Sequence, residues 1–369
     1  MIAALALCVW VYLVFAHGRF WESGPELPPA LPSELPDVDV IIPARDEAET
    51  IAAVIESLLK QDYAGRFRVI LVDDRSTDAT ASLARAAAGD AANFTLLTAA
   101  EKPPGWSGKL WALDQGVAHS TAPVLLFADA DIVHDQRHLS SLVARLVHPR
   151  VDMVSEMVRL NCTSLAERAL VPAFVYFFQM LYPFAKVNDP LSKVAAAAGG
   201  TVLIRREALA RIGGIAAIKS TLIDDVALAI AAKAYGPIFL GHSGLATSIR
   251  PYPEFRDIFK MVSRTAFTQL RHSAVILAGT LVGLTLVWLV PAWDVLFGRG
   301  WSFVFGLAAF SLAAVSYLPT LTRYGQSRFW ALTLPLIALF YMAATLSSAL
   351  DVWRGTGARW KNRDYKAGA

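Results

Sequence analysis

Three stretches towards the C-terminus limit what this chain can fold into. Residues 273–297 (SAVILAGTLVGLTLVWLVPAWDVLF) carry one charge, Asp294, near their end, and residues 301–319 and 329–350 carry none. Each reaches the roughly 20 residues that an α-helix needs to cross a bilayer. Trp301, Tyr317 and Trp330 stand near segment ends, where aromatic rings anchor at the membrane–water interface. One such segment reads equally well as a buried core helix, but three in succession read as membrane spans. The apolar fraction of 55% exceeds the roughly 45–50% of ordinary soluble domains, and the mean hydropathy is +0.44.

The rest of the chain falls into segments around these spans. Residues 1–20 read as an N-terminal membrane anchor. The apolar run to Ala16 is followed, not preceded, by His17 and Arg19, which argues against a cleaved signal peptide. Residues 21–37 are a proline-rich spacer (PELPPALPSELP at 25–36) expected to be extended. Residues 38–250 are a soluble domain. Residues 251–272 predict an amphipathic interfacial helix, with Phe255, Ile258, Phe259, Val262, Ala266 and Leu270 on one face and Arg256, Lys260 and Arg264 on another. Residues 273–350 hold about three spans, and 351–369 form a basic tail. Residues 169–185 are aromatic-rich and interrupted by Pro172 and Pro183; they read as an interfacial or acceptor-binding element in preference to a core helix. If the N-terminal segment crosses and the soluble domain is cytoplasmic, three later spans put the tail outside. Its Arg354, Arg359, Lys361, Arg363 and Lys366 favour the inside. Either one segment is re-entrant or the N-terminal one does not cross.

Charge and cysteine content exclude some functions. A net charge of +3 with scattered Lys and Arg gives no nucleic-acid partner. The two cysteines, Cys8 and Cys162, allow no disulfide framework and no zinc spacing, in line with a reducing compartment. No charged residue lies in mid-span to mark an ion path.

The chemistry of the soluble domain is written at its strand ends. Val124–Ile132 (VLLFADADI) is an apolar strand that runs into Asp129 and Asp131. Two carboxylates so close repel each other and are costly to desolvate. A hard divalent cation, Mg²⁺ or Mn²⁺, resolves that by bridging carboxylates to substrate phosphates. Residues 38–47 (VDVIIPARDE) and 68–78 (RVILVDDRSTD) end in the same way, at Glu47 and at Asp73-Asp74. A turn would explain one such cluster. Three in register match the rule that open α/β sheets bind ligands outside the carboxyl ends of their strands. Strands at 38–42, 68–72, 94–97 and 123–128 alternate with helices at 47–60, 78–88 (Asp78 or Thr77 as N-cap) and 110–119, which predicts a parallel sheet with right-handed crossovers. Thr221–Leu228 (TLIDDVAL) places Asp224 and Asp225 at a helix start, where acids also serve as plain dipole partners.

These elements together resemble an inverting glycosyltransferase of family 2. The matching runs are IIPARDE (41–47), VDDRSTD (72–78), GWSGKLWA (105–112), ADAD (128–131), GGTVLIRREAL (199–209), IGG (212–214) and DDVAL (224–228). GWSGK and the C-terminal apolar block resemble the ceramide-glucosyltransferase-like branch, and especially the enzymes associated with bacterial hopanoid biosynthesis. The resemblance implies an α/β GT-A fold, Rossmann-like with a mostly parallel sheet, followed by transmembrane helices. It implies that Pro43, Arg45 and Glu47 shape a nucleotide pocket and that Asp74 contacts the base or ribose. Lys109, after a flexible loop, approaches the diphosphate, and Gly199 and Gly200 let backbone come close to donor sugar or acceptor. Asp129 and Asp131 are the metal pair, with Asp129 also at the nucleotide sugar. Asp225 is the catalytic base, with Asp224 where many relatives have Glu. Arg75 replaces a glycine common in the DDGS form of the second run, which touches that loop's geometry. The QxxRW signature of processive synthases is absent; Gln269-Leu270-Arg271-His272 is the nearest run, and Arg264 or Arg271 is a candidate for the diphosphate.

The expected activity is transfer of one sugar from a nucleotide-diphosphate sugar, a UDP-sugar, to a lipid acceptor of hopanoid type. It would occur at the inner (cytoplasmic) membrane, with the catalytic domain facing the cytoplasm. The alternatives are a polyprenyl-phosphate, sphingolipid or glycerolipid glycosyltransferase, a nucleotidyltransferase or non-catalytic sugar-nucleotide-binding membrane protein, and a transporter subunit.

Overall fold

The computed structural model describes residues 1–355 and two short strands beyond them, at 358–360 and 363–365. Lys361 and Lys366 of the basic tail lie outside the described residues. In chain order the first half contains α1 (Ile2–Phe15), β1 (Glu26–Leu27), β2 (Val38–Ala44), α2 (Ile51–Leu59), β3 (Phe67–Asp73), α3 (Thr80–Ala88), β4 (Phe94–Thr98), α4 (Gly108–His119), β5 (Val124–Ala128), β6 (Ile132–His134), α5 (His138–Val147) and β7 (Met153–Arg159). The second half contains α6 (Leu165–Leu181), α7 (Phe184–Asn188), β8 (Thr201–Arg205), α8 (Arg206–Arg211), α9 (Asp224–Lys233), β9 (Ile238–Ser248), α10 (Phe255–Gln269), α11 (Ala274–Leu284), α12 (Val290–Phe297), α13 (Trp301–Arg323) and α14 (Leu334–Trp353). Two compact units result. One is Pro25–Asn161 with Lys186–Pro251; the other is Met1–Gly24, Cys162–Ala185 and Tyr252 onwards.

The first unit is built on a nine-stranded sheet in the order β1-β9-β7-β8-β5-β2-β3-β4, with β6 added on β9. β2, β3, β4 and β5 are mutually parallel. β2 and β5 are buried along their whole length, as expected of strands covered on both faces. β8 runs antiparallel to both β5 and β7, and β9 is parallel to β7. The sheet is therefore mixed, and the GT-A fold is retained. Two antiparallel steps return β9 to the direction of β5, so both end at the same edge. Residues 25–36, read as a spacer, contribute β1, which pairs with β9 at Glu26↔His242 and Leu27↔Ser243.

Helix starts depart from the sequence reading for local reasons. α2 begins at Ile51, because Glu47–Thr50 form a turn bonded to the loop after β3. Glu47 N–H donates to Thr80 Oγ1 at 2.8 Å, and Ala48 N–H to Asp78 Oδ2 at 3.1 Å. Asp78 thus ties two loops together instead of simply opening α3. Ser76 Oγ accepts from Asp46 N–H at 3.0 Å, and Asp46 Oδ1 from Thr77 N–H at 2.7 Å. Arg75 adopts φ +56°, the left-handed turn that glycine takes freely; the loop keeps its shape with arginine in that place.

The second unit is helical. Three of its stretches are long and apolar enough to cross a membrane: Ala274–Phe297, Trp301–Arg323 and Arg328–Trp353, of 24, 23 and 26 residues. At about 1.5 Å per residue each exceeds the roughly 30 Å hydrocarbon core. α1 has 14 residues, about 21 Å, short of a full crossing. It is fixed through Trp10, fully buried, whose Nε1–H donates to Val287 O at 2.8 Å. That carbonyl lies in the π-helical turn Thr285–Leu289 joining α11 to α12. Asp294 accepts from Ser302 Oγ at 2.5 Å, and a side chain on Gly306 would meet it at 2.3 Å. The single charge of that span therefore clasps a helical hairpin.

Residues 169–185 belong mostly to α6, opened by a capping box between Ser164 and Glu167. Val175 and Tyr176 are fully buried, and Tyr176 OH bonds Ser316 Oγ at 2.7 Å. One face of this segment is therefore core, with Tyr176 on Tyr317 of α13 and Phe177 on Tyr341 of α14 at 5.0 Å each, while Phe174, Phe177, Phe178 and Tyr182 stay half-buried. α10 has the predicted two faces, with Arg256, Lys260 and Arg264 exposed. Its apolar side packs on α14, with the Phe259 and Phe340 rings 5.6 Å apart and Phe267 5.6 Å from Trp353.

Candidate active site

Pro43, Lys109, Asp129, Gly199, Asp224 and Asp225 line one pocket of the sheet-containing unit, floored by Leu110, Leu113, Phe127, Ile215 and Ile218. The topology explains the convergence. β2 and β5 end here, β8 begins here, and α4 and α9 start here. Asp129 N–H donates to Gly200 O at 3.1 Å, which ties the end of β5 to the entry of β8. Thr50 Oγ1 donates to Ala130 O at 2.8 Å, which fixes the turn carrying Asp129 and Asp131.

Lys109 lies in the first turn of α4. Ser107 caps that helix by accepting from Leu110 N–H and donates its own N–H to Lys219 O at 2.8 Å. Lys102 Nζ donates to Trp106 O at 3.0 Å. The GWSGK loop, read as flexible, is therefore tied down. Lys109 Nζ stands 2.9 Å from Asp129 Oδ1 and 3.1 Å from Asp224 Oδ2. Burial would lower its ammonium, but Asp129 and Asp224 outweigh burial and hold it above the usual lysine range. Asp129 is pushed up by burial and by Asp131, with Lys109 opposing.

Asp225 begins α9 and accepts from Val226 N–H at 2.8 Å. Burial, then the neighbouring Asp224, push its carboxyl up to about 7. A Cβ built on Gly199 would come 3.2 Å from Asp225 Oδ2, and one on Gly200 3.1 Å from Val158. A side chain at either position would therefore press on a protein neighbour, and Gly199 still lines the pocket. Gly199 makes room for the Asp225 carboxylate.

The remaining expected residues are grouped differently. Asp74 is 1% exposed, and Arg45 Nη1 donates to its backbone oxygen at 2.5 Å and lies 3.9 Å from its Oδ2. Asp74 is thus a buried partner of Arg45, where a direct contact to base or ribose was expected. Glu47, 8% exposed, faces Arg250, a residue the sequence reading passed over. Arg250 Nε donates to Asp131 Oδ2 at 2.7 Å, and its Nη2 lies 2.9 and 2.7 Å from the two Glu47 oxygens. Its signal was present in SIRPYP (248–253): a cation ending the last strand, at the edge where the acids gather. Arg264 and Arg271, the arginines considered for a diphosphate, belong to the helical unit.

The donor set fits a divalent cation only in part. Asp129 and Asp131 supply hard oxygens, and each keeps one carboxylate oxygen outside these ion pairs. Among the described residues no cluster of three or more His, Cys, Asp or Glu side chains suits a metal. Two carboxylates are too few for a protein-only site, so the remaining ligands must come from a phosphate or water.

Residues 39–213 match the family model Glycosyl transferase family 2. A 4,4'-diaponeurosporenoate glycosyltransferase of Staphylococcus haemolyticus is 33% identical over 101 residues, 27% of this chain and 26% of that protein. Glycosyltransferase AglE of Haloferax volcanii is 31% identical over 140 residues, 37% of this chain and 45% of that one. The chain thus spans from about a quarter to just under half the length of these relatives. Mannosyltransferase PcManGT from Pyrobaculum calidifontis, whose structure is a complex with GDP-Man and Mn²⁺, aligns with 95% of this chain and 99% of its own at TM-score 0.57 and 19% identity. Over residues 39–213 the chain is therefore similar in sequence to glycosyl transferase family 2, and the unit that carries them has the GT-A fold.

Proposed function

We propose that this chain is a membrane-bound inverting glycosyltransferase, moving one sugar from a nucleotide-diphosphate sugar to a hydroxyl of a lipid acceptor. The observation that carries it is the joining of three features in one pocket: Asp129 at the end of β5, the Lys109 cation, and a separate half-buried carboxyl, Asp225, with a pKa near neutrality. Asp129 and Asp131 would hold Mg²⁺ or Mn²⁺. When bound, that ion supplies Lewis-acid neutralisation of the leaving diphosphate. Lys109 adds a second positive charge on the same side. Asp225 accepts the proton of the acceptor hydroxyl as the new bond forms, a task suited to a base poised near working pH. Attack opposite to the departing diphosphate inverts the anomeric carbon.

The donor base is expected to be uracil and the acceptor a hopanoid-type lipid alcohol; a polyprenyl phosphate, sphingolipid or glycerolipid is the alternative. Three membrane-length helices support a membrane-resident acceptor, and the staphylococcal relative is named for 4,4'-diaponeurosporenoate. Absence of QxxRW supports single transfer. The expected location is the cytoplasmic membrane, with the GT-A unit facing the cytoplasm. A sugar-nucleotide-binding protein without turnover would not need Asp225.

Asp225→Asn decides between the two. Turnover should fall about 10²–10⁴-fold while donor affinity, measured calorimetrically, stays within about twofold, because proton abstraction is a transition-state role. Near-normal turnover would make Asp225 a helix-end acid and point to Asp224 instead. Mass spectrometry of lipid extracts, with active protein and with Asp225→Asn, identifies the acceptor.

A further inference from the structure

Arg250 stands on two carboxylates at once. Its Nε is 2.7 Å from Asp131 Oδ2, while its Nη2 bonds both Glu47 oxygens. A planar guanidinium suits such a bridge, since its donors leave in a fixed fork. Nothing in the pair has to search for its partner, because Ile249 N–H donates to Asp131 O at 2.9 Å and Glu47 N–H is bonded to Thr80. We propose that Arg250 is a built-in stand-in for the divalent cation, neutralising Asp131 in the metal-free protein and making metal uptake depend on the nucleotide. The inference rests on the reading of Asp129 and Asp131 as metal ligands.

The physical case is a competition. Without a cation, Asp131 would face Asp129 and Glu47 with no compensating charge. Arg250 removes that repulsion, so a metal ion arriving alone gains little at Asp131 and must first break a short charge-assisted bond. A nucleoside diphosphate changes the balance twice. It gives the metal further oxygens, and it offers an anion to the displaced arginine, which Glu47 still holds. Lys109 is a weaker competitor at Asp129. Its single ammonium is shared with Asp224 and makes one contact to Asp129, at 2.9 Å. By linkage, nucleotide must then raise metal affinity by the factor that metal raises nucleotide affinity.

The test measures Mn²⁺ binding by electron paramagnetic resonance on the full-length chain in detergent, alone and with UDP or GDP. The wild type should take up Mn²⁺ tightly only with a nucleoside diphosphate. Arg250→Ala should bind Mn²⁺ alone about tenfold more tightly than wild type, since a bond to a charged group is removed from the competition. The enhancement by UDP should shrink by the same factor. Millimolar guanidinium chloride added to Arg250→Ala should weaken Mn²⁺ binding towards the wild-type value, which a merely structural role would not produce. Arg250→Lys keeps the charge but cannot span both carboxylates, and should fall between the two if Arg250→Ala does not fold. Unchanged Mn²⁺ affinity in a folded Arg250 variant, or no effect of guanidinium, overturns the stand-in while leaving the glycosyltransferase reading intact. Failure of wild type to bind Mn²⁺ even with UDP or GDP overturns the metal reading and the stand-in together.

Discussion

Asp225 is a carboxyl whose surroundings oppose its charge. Burial and Asp224 raise it to about 7, and Lys109 pulls it back only in part. A base must be unprotonated to act, so turnover should rise with pH through about 7 and fall up to tenfold per unit below it. A kcat profile between pH 5.5 and 8.5 checks this; a flat profile would remove Asp225 from the proton transfer. Gly199 carries a second prediction at the same point. Gly199→Ala places a methyl 3.2 Å from Asp225 Oδ2, so the carboxylate must shift by a few tenths of an ångström. Misplacing a reacting group costs rate more than binding. We expect a drop of about tenfold or more in kcat with donor affinity nearly kept, measured by steady-state kinetics beside calorimetry. That Asp129, Asp131 and Asp225 are candidates for the proposed chemistry was legible, because acids at strand and helix ends are unusual where the flanking run is apolar. That Gly199 serves Asp225 was not, because residues 26 apart in sequence have no visible spacing.

At the scale of elements, the strands and helices of residues 38–128 could be read almost to their ends, since apolar runs of strand length alternate with helical spacing. Directions were harder. The sequence of β8 reads like any buried strand, and only its pairing with β5 and β7 makes the sheet mixed. The same pairing assembles a polar cluster that no motif announced. His134 Nδ1 and His138 Nδ1 lie 2.8 Å apart, His138 Nε2 meets Glu156 Oε1, and Thr201 Oγ1 donates to that oxygen at 3.2 Å. Burial, with His138 beside it, holds His134 well below the usual histidine range. The folded chain thus keeps His134 neutral where the unfolded chain binds a proton, near pH 6.5. Stability is full above about pH 6.5 and falls as pH drops below it, by up to about 1.4 kcal/mol per unit for one proton. Urea unfolding of the GT-A unit's tryptophan signal at pH 7.5 and 5.5 tests this. His134→Phe should flatten the dependence by one proton, and an unchanged slope would acquit the histidine.

For the whole molecule, three apolar stretches of 23 residues or more should hold the chain in membranes against alkaline carbonate extraction. Recovery in the soluble fraction would contradict the reading of those helices as spans. The sequence by itself determined how many such helices form, because hydrophobic length needs no partner to be read. It also determined the GT-A class and the acids at the carboxyl edge, because local periodicity and strand ends are properties of short windows. Tertiary structure decided what each acid faces. Lys109 is 20 residues from Asp129 and 115 from Asp224, and Arg250 lies more than 100 residues from both its carboxylates. It also decided which face of residues 169–185 is core, because an aromatic-rich helix reads alike whether its neighbour is lipid or protein. Charge pairing and burial are relations between distant residues, and they exist only once the sheet and the helices have brought those residues together.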